Sequence, residues 1–129
     1  MIFEPLIDYL EENISVLKQG STLFINKMPF EIPLGLMLKD SFSGIEIDGE
    51  IPALRRGRFQ MAVRGKNYSQ VKALAEEASA LLTMKEVDLP GMTVKIIRPL
   101  TEPVSYQPSV GGNTEFSVNF SAIYGIVAE

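Results

Sequence analysis

The sequence has 129 residues, a hydrophobic share of 46%, no cysteine, no histidine and a net charge of −4 at pH 7. These figures suit one domain, residues 1–129, around one core, and exclude a disordered chain, a disulfide framework and thiolate chemistry. They also remove the usual general base and zinc ligand, and argue against a general nucleic-acid binder.

In chain order, the first element is an amphipathic helix over residues 3–19. Phe3, Leu6, Ile7, Leu10, Ile14 and Leu17 fall on one stripe, with Glu4, Asp8, Glu11 and Glu12 mostly on the other side. Pro5 suits the first turn, where its missing N–H is not needed. Lys18 and Gly20 read as a cation and a left-handed stop at the C-terminal end. The opening Met-Ile-Phe-Glu-Pro has no basic leader, so no signal peptide is expected. The apolar runs are too short to cross a bilayer.

Thr22 to Asn26 is a short strand candidate, and Pro29 and Pro33 make 27–33 a loop or edge segment. Leu34 to Lys39 reads as a strand, Ser41 to Gly44 as a turn, and Ile45 to Asp48 as a short exposed strand. The next stretch, RRGRFQMAVRGKNYSQVKALAEEASALL (55–82), changes period midway. Phe59, Met61 and Val63 alternate with Arg58, Gln60, Ala62 and Arg64, as in a strand half-buried on one face. Asn67 then caps a helix, with Gln70 three residues on, and Val71, Leu74, Ala75, Ala78, Leu81 and Leu82 recur at helical spacing.

Val87-Asp88-Leu89 leads into Pro90-Gly91, a type II turn signal. Met92 to Arg98 reads as a strand with Val94 and Ile96 on one face. Pro99 to Asn113 holds three prolines and two adjacent glycines, a long connection of the kind that tends to be functional. Glu115 to Val127 alternates most clearly, with Phe116, Val118, Phe120, Ala122, Tyr124 and Ile126 on one side. This order of elements predicts an α+β domain: a mixed, mostly antiparallel sheet with both helices packed on one face.

Chemistry-bearing patterns are few. Glu46, Asp48 and Glu50 at two-residue spacing are the best metal candidates, set against a solvated acidic loop, but they miss the calcium-loop pattern. No catalytic, cofactor or metal residue is assigned. The charge is segregated: residues 40–50 carry four acids and no base, and residues 55–66 carry five bases and no acid. Arg56, Arg58, Arg64 and Lys66 share one parity, opposite to Phe59, Met61 and Val63. Such a stripe reads as a solvated face, a subunit contact or, least favoured on an acidic chain, a phosphate contact. Arg55, Arg56, Arg58, Arg64 and Lys66, facing Glu46, Asp48 or Glu50 of a neighbour, are the expected interface. Val104, Tyr106 and Val110 in the long connection are the expected docking arm, since little sheet is left for them to cover.

Three stretches together resemble a known family: ALRRGRFQMAVRGKNYSQVKALAEEASALL (53–82), VKIIRPLTEPVSY (94–106) and NTEFSVNFSAIY (113–124). In this order, after an opening helix, they are similar to the minor capsid or tail-terminator proteins of long-tailed bacteriophages. Those proteins carry a basic "LRRxRFQ" entry to a strand, "R-x-K-x-Y" into a helix and a closing "EFSVNF" strand. Residues 27–52 depart from the pattern. The resemblance implies a structural virion protein, not an enzyme, with no cofactor. It implies synthesis in the host cytoplasm and a place in the virion tail, at the head–tail junction. It implies a ring, six-membered in the family, that caps the tail tube, stops its growth and offers a surface to the head. The implied partners are other copies of itself, the tail tube protein and head–tail connector proteins. No membrane and no sequence-specific nucleic acid is implied, although the ring leaves room for DNA to pass. A head–tail connector or other tail completion protein is the nearest alternative, and a small-molecule or regulatory binding domain is the alternative of another class.

Overall fold

Both helices lay their apolar stripes on one face of a single sheet. The computed structural model describes residues 1–29, 32–106 and 113–127. Its elements are α1 (Glu4–Asn13), β1 (Leu23–Ile25), β2 (Leu34–Ile47), β3 (Leu54–Gly65), α2 (Tyr68–Leu82), β4 (Met84–Leu89), β5 (Met92–Pro99), β6 (Val104–Tyr106) and β7 (Thr114–Ile126). The strand order is β1-β2-β3-β7-β5-β4, with β6 pairing the early part of β7. β1 runs parallel to β2, and the other pairs are antiparallel. The sheet is therefore mixed and mostly antiparallel, as the order of elements predicts.

The core follows from strand parity. Phe59, Met61 and Val63 of β3 lie directly opposite Phe120, Val118 and Phe116 of β7, and all six are buried. Leu36 and Leu38 of β2 continue that face. Leu6, Ile7 and Leu10 of α1 and Val71, Leu74, Ala75, Ala78 and Leu82 of α2 join the same apolar cluster. Phe59 stacks on Phe120 with ring centroids 5.0 Å apart and meets Phe3 edge-on at 5.8 Å. Aromatic pairs in these geometries add about 0.5–1.5 kcal/mol beyond the area they bury.

The cap of α2 forms as expected: the Asn67 side chain accepts the Gln70 backbone N–H at 3.1 Å. Helix α1 is shorter than its apolar stripe predicts. It ends at Asn13, whose amide donates to the Tyr9 carbonyl, and Ile14 turns extended at φ −124°. Ile14 and Leu17 remain buried through a tight turn. Apolar residues three apart suit a turn over a core as well as a helix, so the stripe overran the helix. Gln19 ties the turn back to α1, its N–H on Glu11 and its amide on Asp8. Gly20, at φ +84°, serves the entry to β1 and not the helix end.

Residues 41–44 are not a turn between two strands. β2 runs through them, with a register shift between Asp40 and Ile45. The extra residues bulge outward, Gly44 takes φ +72°, and Gly57 on β3 gives the bulge room. A Cβ on Gly57 would lie 2.8 Å from the Gly44 carbonyl oxygen. β5 also carries a register shift, between Val94 and Ile96. The extra residue, Lys95, reverses the parity beyond it, so Ile97 and not Ile96 joins Val94 in the core. Glu86, across from it in β4, takes φ +55°. The long connection after β5 is partly a strand as well: Val104–Tyr106 continue along β7 where β5 leaves off.

Candidate assembly interface

Among the described residues, no helix lies over the face of the sheet opposite α1 and α2. Across β3 that face presents rows of cross-strand neighbours: Glu46 beside Arg56, Arg58 beside Ser121, Gln60 between Lys39 and Asn119, and Arg64 beside Glu115. β7 adds a further neighbour to the second row, Arg98 of β5, on the far side of Ser121. This is the polar parity of β3, because the apolar parity is spent on the core.

The charges on this face are partly satisfied within the chain. Arg56 pairs with Asp48 at 2.9 Å, and Arg64 pairs with Glu115 at 3.0 Å. Gln60 donates to the Ser117 hydroxyl at 2.6 Å. Asp48 is committed three ways. One carboxylate oxygen accepts the backbone N–H groups of Glu50 and Ile51, and the other accepts Arg56. Those two backbone hydrogen bonds, and then the Arg56 guanidinium, hold its carboxyl below the usual aspartate range. Asp48 thus closes the β2–β3 hairpin, while Glu46 and Glu50 stay exposed. Among the described residues no group of three acidic side chains is placed to share a metal ion.

Of the expected interface residues, the structure brings Glu46, Arg56, Arg58 and Arg64 onto this one face. Arg55 sits on the other parity, opposite Tyr124, and its guanidinium donates to the Pro52 and Leu54 carbonyls. Lys66 is exposed beyond the end of β3. Val104 is exposed on β6, Tyr106 ends that strand, and Val110 lies outside the described residues. A cleft of about 610 Å³ on the open face is lined by Glu46, Arg56, Arg58 and Ser121 among others. A larger one, about 790 Å³, lies between α2 and residues 99–105, with Tyr68, Lys72, Leu100 and Phe116 in its wall.

Two features escape the sequence pattern. Arg98 reaches the open face only because the Lys95 bulge swaps parity; simple alternation from Val94 puts it on the core side. Phe42 stands fully exposed on the β2 bulge, where composition signals only a turn.

The fold is a small α+β module whose open sheet face carries Arg56, Arg58, Arg64 and Arg98. A family model described as "Bacteriophage tail terminator protein" matches residues 11–126, and the chain belongs to that family. It is thus a structural protein of the phage virion, located in the tail, as the three quoted stretches imply. A chain in a solved structure described as "Virion of native gene transfer agent (GTA) particle" is similar in fold. Its TM-score is 0.64 at 13% identity, covering 93% of this chain and 94% of that one. No curated protein matches the sequence. Among the described residues no helix is long and apolar enough to cross a membrane.

Proposed function

We propose that this protein caps the finished tail tube as a ring of six copies, stops tube polymerisation and presents the surface that joins the head. Membership of the tail terminator family carries this reading. The uncovered sheet face is consistent with it, because a face without a helical layer is open to another chain. The partners are other copies of the chain, the tail tube protein and head–tail connector proteins. Arg55, Arg56, Arg58, Arg64 and Lys66, with Glu46, Asp48 and Glu50, supply the polar contacts. The contact at Asp48 and Arg56 has to compete with their pairing inside the chain. Residues 99–114, including Val104, Tyr106 and Val110, supply the docking arm.

Electron microscopy of the purified protein, alone and added to tails assembled without it, tests the proposal. The expected result is a sixfold ring at one end of tails of defined length. Tails whose length distribution and ends are unchanged by the protein would overturn it.

A further inference from the structure

Two groups of like charge stand on opposite faces of the molecule. On the open face Arg58 and Arg98 flank Ser121, one from each neighbouring strand. Both are exposed, and among the described residues neither has an ion pair. Two strand spacings, about 10 Å, separate their backbones. On the helical face α1 carries Glu4, Asp8 and Glu12 at i, i+4 and i+8, all exposed, and the helix contains no base. That ridge is about 12 Å long at 1.5 Å per residue. Like charges at this spacing repel one another, as do the two arginines in their row.

The row and the ridge lie on opposite sides of the core, so they cannot meet within one subunit. Between copies they can, and the contact joins two different patches. Such a heterologous contact closes into a ring or grows as a filament. We infer that the acidic ridge of α1 in one copy docks on the Arg58–Arg98 row of the next. This rests on the ring reading above and names the surfaces that meet in it. Arginine forks suit carboxylates geometrically, and such complementarity sets register and orientation. Half-buried Ile96 and Ile123, beside the row on the same face, add apolar area. Arginine forks also suit the phosphates of duplex DNA, but a chain of net charge −4 is a poor partner for a polyanion.

The chain has no cysteine, so introduced thiols pair only with each other. Copies carrying Arg98→Cys, mixed with copies carrying Glu12→Cys and oxidised, should give disulfide dimers both in concentrated protein and at tail ends. The double variant Arg58→Glu/Arg98→Glu should stay folded by circular dichroism and self-associate about tenfold or more weakly, the scale of a lost charge-pair contact. Glu4→Arg/Glu12→Arg should do the same. Joining all four substitutions in one chain restores the complementarity and should restore association. Absent disulfides at both sites, no rescue in the fourfold variant, or lost duplex-DNA binding with association intact would each overturn the inference. Rings without disulfides or rescue would sink this docking alone. Disulfides and rescue without rings at tail ends would sink the ring reading alone.

Discussion

Arg64 and Glu115 face each other directly across β3 and β7, guanidinium to carboxylate at 3.0 Å, though 51 residues separate them in sequence. Their side chains are 21% and 32% exposed, so solvent screens the pair only partly. A double-mutant cycle with Arg64→Ala and Glu115→Ala should return a coupling of about 1 kcal/mol, at the upper end for a surface pair. Raising salt from 0.05 M to about 1 M should shrink it. A zero coupling at low salt would show that the pair is not formed in solution.

Leu10 of α1 and Leu74 of α2 are both buried against the same sheet face. Each change to alanine should cost about 2–5 kcal/mol, read from denaturant midpoints. If either midpoint stays put, that helix does not pack as described.

Gly57 makes room for the β2 bulge. In Gly57→Ala the new methyl would lie 2.8 Å from the Gly44 carbonyl oxygen and 2.9 Å from the Ile45 side chain. The bulge must shift, at a cost of about 1–3 kcal/mol. Thermal unfolding of the variant beside wild type measures it, and an unchanged midpoint would refute the close approach.

Asp48 gives a pH dependence with a definite sign. Its carboxyl is held below its ordinary value in the folded state, first by the Ile51 and Glu50 N–H groups and then by Arg56. The folded state therefore binds the proton less readily than the unfolded state. Its contribution is present above the ordinary aspartate value, about 3.9, and is lost as pH falls through the lower folded value. Asp48→Asn should be less stable than wild type near pH 6, and the gap should close toward pH 2. A gap that stays constant across that range would rule out the carboxylate as its source.

The docking arm is tested by the triple variant Val104→Ser/Tyr106→Ser/Val110→Ser. β6 keeps its backbone pairing with β7 in that variant, so the protein should fold and form rings. Heads should fail to join its tails. Normal joining, with tails of defined length, would remove the arm from docking.

Local chemistry determined much of this protein. The Asn67 cap, the α2 stripe and the alternation of β3 and β7 were legible in the sequence, because each depends on residues within a few positions of one another. The family was legible for a related reason: those same local patterns, quoted in order, carry it. The tertiary structure decided what depends on a neighbour distant in sequence. α1 stops at Asn13 although Ile14 and Leu17 continue its stripe, since the core accepts them equally from a turn. β2 runs through 41–44 because Gly57, on the adjoining strand, leaves space for the bulge. Arg56 pairs with Asp48 within the chain because the β2–β3 hairpin brings them together. Arg98 stands on the open face because one extra residue in β5 reverses the alternation. A bulge is visible only in how two strands register, and no single strand's sequence records that.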